Sequence, residues 1–98
     1  MGWRSVGDVQ STEISTEIDG LAILIIGDGQ RWYAIEDRCS HAGCAFSDDG
    51  EIDDLVAVCD CHGSEFDVTT GDAIVPPATL PIRTFPTRVV GQTVQVEL

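Results

Sequence analysis

Apolar and polar residues alternate in short runs along the chain, and no window of a dozen residues repeats at helical spacing. Nine strand-like stretches emerge, at 3–6, 13–19, 21–26, 31–36, 55–58, 65–67, 72–74, 82–90 and 93–98. In the last of them Val94, Val96 and Leu98 alternate with Thr93, Gln95 and Glu97, which suits a strand half-buried against a core. Turn residues punctuate the pattern. Gly27-Asp28-Gly29-Gln30 offers the residues a tight hairpin needs, and Gly91 and Thr69-Thr70-Gly71-Asp72 mark two further reversals. The expected fold is all-β, with Trp3, Trp32 and Tyr33 as packing residues.

Ninety-eight residues suffice for a single domain over 1–98, with no linker, repeat or low-complexity segment to divide it. An apolar fraction of 43% separates the chain from disordered sequences. Its formal charge is −12, from five Lys plus Arg against 17 Asp plus Glu. Such a chain cannot neutralise phosphates, so nucleic acid and anionic membrane surfaces are excluded as partners and a basic protein face is favoured. The longest apolar run, 21–26, is six residues, against the roughly 20 needed to cross a bilayer. The first ten residues contain no apolar segment of the secretory kind, and a cytoplasmic location is expected.

The cysteines change the picture. Four Cys in such a chain point to metal or redox chemistry, and both histidines lie within three residues of one. The segments are Cys39-Ser40-His41-Ala42-Gly43-Cys44 and Cys59-Asp60-Cys61-His62-Gly63-Ser64. They pair thiolate with imidazole as C-x-H and C-x-x-H, separated by 17 residues. Zinc fingers group a Cys pair and a His pair, and zinc ribbons use C-x-x-C knuckles, so structural zinc is the lesser alternative. The mixed pairs fit a [2Fe-2S] cluster in which two Cys hold one iron and two His the other.

On these two segments the chain resembles the Rieske family, and the resemblance extends over nearly its whole length. It implies a small all-β domain of short antiparallel sheets with two cluster-binding loops and one [2Fe-2S] cluster per chain. Cys39 and Cys59 would ligate the inner iron, and His41 and His62 the outer iron through Nδ1. Ser40, Ala42, Gly43, Gly63 and Ser64 would supply loop backbone whose N–H groups face the sulfurs. Two ferric ions, two sulfides and two thiolates cancel in charge, so the oxidised cluster with neutral imidazoles accepts an electron more readily than one with four thiolates. Imidazole ligation further implies a potential that falls with pH at high pH.

Cys44 and Cys61 match positions where the quinol-oxidising Rieske subunits carry a disulfide, so the resemblance implies a bridge between them, two free thiols being the alternative. Ser64 matches a serine that in that type donates to a bridging sulfide. Phe66 stands where that type has tyrosine, and Asp60 replaces a proline. Val75-Pro76-Pro77-Ala78 resembles the family's proline-containing cover over the cluster, an ordinary inter-strand loop being the alternative. The acidic run 48–54 would either steer a basic partner or form a solvated turn.

The functional class the resemblance implies is the Rieske ferredoxin of bacterial aromatic-ring-hydroxylating dioxygenase systems. Such a monomeric carrier passes single electrons from a flavin-containing reductase to a terminal oxygenase. The oxygenase itself is excluded, because a 2-His-1-carboxylate iron site needs two more histidines than the chain has, and no catalytic residues are assigned. The soluble part of a quinol-oxidising Rieske subunit and the Rieske-like small subunit of nitrite reductase are the other classes.

Overall fold

A computed structural model describes residues 2–40 and 43–98. Three antiparallel sheets account for the architecture. The first orders β1 (Trp3–Asp8), β11 (Thr93–Glu97) and β10 (Thr87–Val90). The second orders β2 (Glu13–Ile18), β3 (Leu21–Gly27), β4 (Trp32–Glu36) and β9 (Thr84–Phe85). The third orders β5 (Gly50–Asp53), β6 (Val56–Cys59), β7 (Glu65–Asp67) and β8 (Ala73–Val75). A four-residue helix, α1 (Phe46–Asp49), precedes β5.

The middle sheet explains the uninterrupted apolar run. Successive side chains of a strand point to opposite faces, so a strand buried on both must be apolar throughout. In β3, Ile23 and Ile25 join Ala34, Val94 and Val96 in one core, between the first and second sheets. Leu24 and Ile26 face the other way, with Ile35, Phe46, Ala57, Phe66, Val68 and Ile82. That second core also contains Cys39 and Cys59. Register fixes the division, with Ile14 opposite Ile25 and Ala34 opposite Ile25 on its two neighbours.

The expected strand at 82–90 is two strands. Pro86 has no N–H to donate and interrupts the ladder, so residues 84–85 pair with β4 while 87–90 pair with β11. The acidic run holds regular structure: its first residues close α1, the next four form β5, and Asp54 and Leu55 turn the chain with φ of 48° and 64°. The hairpin after β3 closes with Asp28 N–H donating to the Arg31 carbonyl at 3.0 Å, with Gly29 at φ 96°.

Candidate metal centre

The two Cys/His segments are the connections that leave β4 and β6: the second begins on the last residue of β6, Cys59, and the first at Cys39, shortly after β4 ends at Glu36. Their backbones close in the same way. In the first, Cys39 N–H donates to the Cys44 carbonyl and Gly43 N–H to the Cys39 carbonyl, each at 2.8 Å. In the second, Cys59 N–H donates to the Ser64 carbonyl and Gly63 N–H to the Cys59 carbonyl, again each at 2.8 Å. Both glycines have positive φ, 74° and 80°, a conformation other residues adopt only at a cost. A glycine four positions after the leading cysteine is thus the sequence signal of one loop form used twice.

Cross-links hold the loops in register. Asp37, 4% exposed, accepts from Ser47 N–H at 3.1 Å and from the Ser47 hydroxyl at 2.5 Å, which pins the two ends of the first loop. The sequence reading did not identify this clamp; its signal is an acidic residue just before the loop and a serine just after it. Cys44 and Cys61 are joined by a disulfide, so the bridge ties loop to loop. On the side formed by residues 76–82, the Ser40 hydroxyl donates to the Leu80 carbonyl at 2.6 Å, and Ala78 N–H donates to the buried Ser64 hydroxyl oxygen at 3.0 Å. Each loop therefore binds this proline-containing segment through a serine. Pro76 and Pro77, linked by a cis peptide, and Leu80 lie exposed on it.

Cys39 and Cys59 are both buried and both free of the disulfide. Burial pushes the Cys59 thiol above its ordinary range, and its hydrogen bond with the Cys39 thiol adds to this. The N–H groups of Cys61 and His62 oppose the shift by facing the Cys59 sulfur. Two thiols touching in an apolar interior, with amide donors aimed at one of them, are poor isolated anions but suitable ligands once a cation shares the charge. The sulfurs of Cys44, Cys59 and Cys61 also lie within 4.8 Å of one another. Two of these are bonded to each other, so this trio is not a ligand set, and Cys39 and Cys59 are the free buried sulfurs that could hold a metal.

His62 is exposed on the outer side of the second loop. His41 and Ala42 lie outside the described residues. The described donors match a [2Fe-2S] site of the mixed type: soft sulfur inside and imidazole at the surface. Beneath the loops Phe66 and Phe46 pack edge to face, ring centroids 5.6 Å apart.

Comparison with known proteins covers nearly the whole chain. Residues 3–86 match the family described as Rieske [2Fe-2S] domain. The 3-phenylpropionate/cinnamic acid dioxygenase ferredoxin subunit of Shigella boydii is 34% identical over 93 residues, covering 95% of this chain and 88% of the relative. The ferredoxin of carbazole 1,9a-dioxygenase from Nocardioides aromaticivorans superposes with a TM-score of 0.86 at 27% identity, over 98% of this chain and 97% of that one. A ferredoxin solved as a complex of reduced oxygenase and oxidized ferredoxin in carbazole 1,9a-dioxygenase gives 0.86 at 28% identity, over 96% of this chain and 91% of that one.

Proposed function

The chain belongs to the Rieske [2Fe-2S] domain family, and from that premise we propose that residues 1–98 form one electron-carrying domain, the ferredoxin component of an aromatic-ring-hydroxylating dioxygenase system. Cys39 and Cys59 hold the inner iron, and His41 and His62 the outer one. When bound, the cluster supplies a site that takes up and gives back one electron. The protein's part is to shelter the sulfur side in the core around Phe46 and Phe66 and to leave the imidazole side accessible from outside. Ser64 accepts from Ala78 N–H, so its own hydroxyl hydrogen is left to donate a hydrogen bond and would be available toward the cluster.

One observation carries this reading: two loops of identical hydrogen-bonding form bring Cys39 and Cys59 together, buried, with His62 exposed beside them. The relatives named as dioxygenase ferredoxin subunits support the carrier role, and the ferredoxin solved in complex with an oxygenase supports a terminal oxygenase as acceptor; a flavin-containing reductase is the proposed electron donor. The chain itself is a carrier and not an enzyme. Among the described residues no helix is long and apolar enough to cross a membrane, and the cytoplasm is the proposed location.

Iron and sulfide analysis with the visible spectrum tests the proposal. About two irons and two sulfides per chain are expected, and a colourless protein lacking both would end it. The disulfide and Ser64 favour one second reading, quinol oxidation. Potentiometry separates the two: a value well above zero indicates quinol chemistry, and one near or below about −100 mV indicates the oxygenase chain.

A further inference from the structure

The Cys59 sulfur lies within 4.8 Å of both sulfurs of the Cys44–Cys61 disulfide. A free thiol beside a disulfide is a reaction partner for it, because exchange proceeds by attack of a thiolate on a disulfide sulfur. From this juxtaposition we infer that Cys59 is an intramolecular thiol–disulfide exchange site whenever it is not ligated, so that the empty chain rearranges its own bridge and withdraws a cluster ligand. The ligand consequence rests on the assignment of Cys59 above; the exchange itself does not.

The step balances without any external reagent. The Cys59 thiolate forms a bond to the Cys44 sulfur, the Cys44–Cys61 bond breaks, and the electron pair departs on the Cys61 sulfur. The proton that Cys59 releases to water is matched by the one Cys61 takes up. One disulfide and one thiol are present before and after. Cys44 is the sulfur attacked because Cys61 is exposed while Cys44 is half-buried, so the charge left on Cys61 is solvated. Attack on Cys61 would leave that charge on the more enclosed Cys44 and link two residues separated by one. The product has a Cys44–Cys59 bridge, a free and exposed Cys61, and only Cys39 remaining as a buried thiol. Occupation of Cys59 as a ligand removes the nucleophile, so the cluster preserves the bridge and the bridge keeps the loops in form for the cluster.

The chain carries its own means of mapping the bridges. Cleavage at Glu51 separates Cys44 from Cys59, and cleavage at Asp60 separates Cys59 from Cys61. The loaded full-length protein is stripped of iron by a chelator, anaerobically and without thiol reductant, then quenched with acid, alkylated and mapped by mass spectrometry. The expected result is a Cys44–Cys61 bridge before stripping, and afterwards a Cys44–Cys59 bridge with Cys61 newly alkylated. Two variants that both lose a sulfur ligand control for loosening of the empty protein. Cys39→Ser retains Cys59 and should rearrange; Cys59→Ser retains only Cys39 and should keep Cys44–Cys61. The inference is overturned if stripped wild type and Cys39→Ser both keep the original bridge, if both variants scramble alike, or if Cys39 enters a bridge. Iron content is measured on the same samples: a protein purified without iron refutes the ligand assignment, while its thiol map still decides the exchange.

Discussion

The two halves of the molecule are held together differently. The sheets that include β1 to β4 have strands of five to seven residues at their centres, paired in unbroken register from β2 to β4 and with a single shift between β1 and β11, over an Ile and Val core. Residues 37–82 have strands of three or four residues, and their loops are fixed by single hydrogen bonds, a disulfide and prolines. Charge divides the same way. Residues 37–82 contain ten of the 17 acidic residues and one of the five arginines, a formal −9 of the −12. A long ladder spreads its stability over many small equivalent contacts, whereas a ligand loop depends on a few contacts that have no substitutes.

The largest expected effects come from emptying the two cores. Phe66→Ala removes a fully buried ring from the core that Cys39 and Cys59 share and should cost about 3–5 kcal/mol. Ile25→Ala in the other core should cost about 2–5 kcal/mol. Their readouts should diverge. At a temperature where both variants remain folded, Phe66→Ala should lose visible absorbance to a chelator faster than wild type, while Ile25→Ala should lose it at the wild-type rate. Equal bleaching of the two would mean that the halves do not act separately.

The same contrast explains what was legible in the sequence. The run 21–26, the alternation at 93–98 and the Asp28-Gly29 turn report local physics, and the structure places each as expected. The two Cys/His segments stood out as candidates because their residue types are rare and closely spaced. What was not legible depends on distant partners: the Asp37–Ser47 clamp, the serine contacts to residues 78 and 80, and the division of 82–90 between two sheets. Strand β5 was hidden because its acidic side chains, Glu51 and Asp53, face solvent while only Gly50 and Ile52 turn inward. Gly50 belongs there for a reason no local pattern shows: a Cβ would overlap the Val58 carbonyl oxygen.

A charged contact from each half gives the next comparison. Asp37 is buried and receives two hydrogen bonds from Ser47, so Asp37→Asn, which turns a strong acceptor pair into a mismatched amide, should cost about 1–3 kcal/mol. Arg4 meets Asp19 at 3.0 Å with both side chains largely exposed, and Arg4→Ala should cost about 0–1 kcal/mol. Urea unfolding measures both. Only Asp37→Asn should also hasten cluster loss, because only that contact closes one of the two Cys/His loops. A larger cost at Arg4 would reverse the ranking.

A last and similarly small effect concerns a device both halves share. Asp28 after β3 and Asp67 at the end of β7 each accept bonds from the turn that follows, and both carboxyls lie below their ordinary value of 3.8. For Asp28 the N–H of Arg31 is the main cause, followed by that of Gln30; for Asp67 it is the Thr69 hydroxyl, followed by the Thr69 N–H. A carboxyl whose folded pKa is depressed stabilises the fold above its unfolded pKa and loses that contribution as pH falls through the folded one. Asp67→Asn should therefore cost about 0.5–1.5 kcal/mol at neutral pH. The gap from wild type should narrow as pH drops below 3.8, because protonation removes from wild type what the substitution already removed. The turn at Asp67 packs beside the cluster half's core through Val68, whereas Asp28 lies in an exposed hairpin, so Asp28→Asn should follow the same pH dependence with a smaller amplitude. Unfolding curves between pH 7 and pH 3 decide the matter: a gap at Asp67 that stays constant across this range would assign its role to turn shape and not to charge.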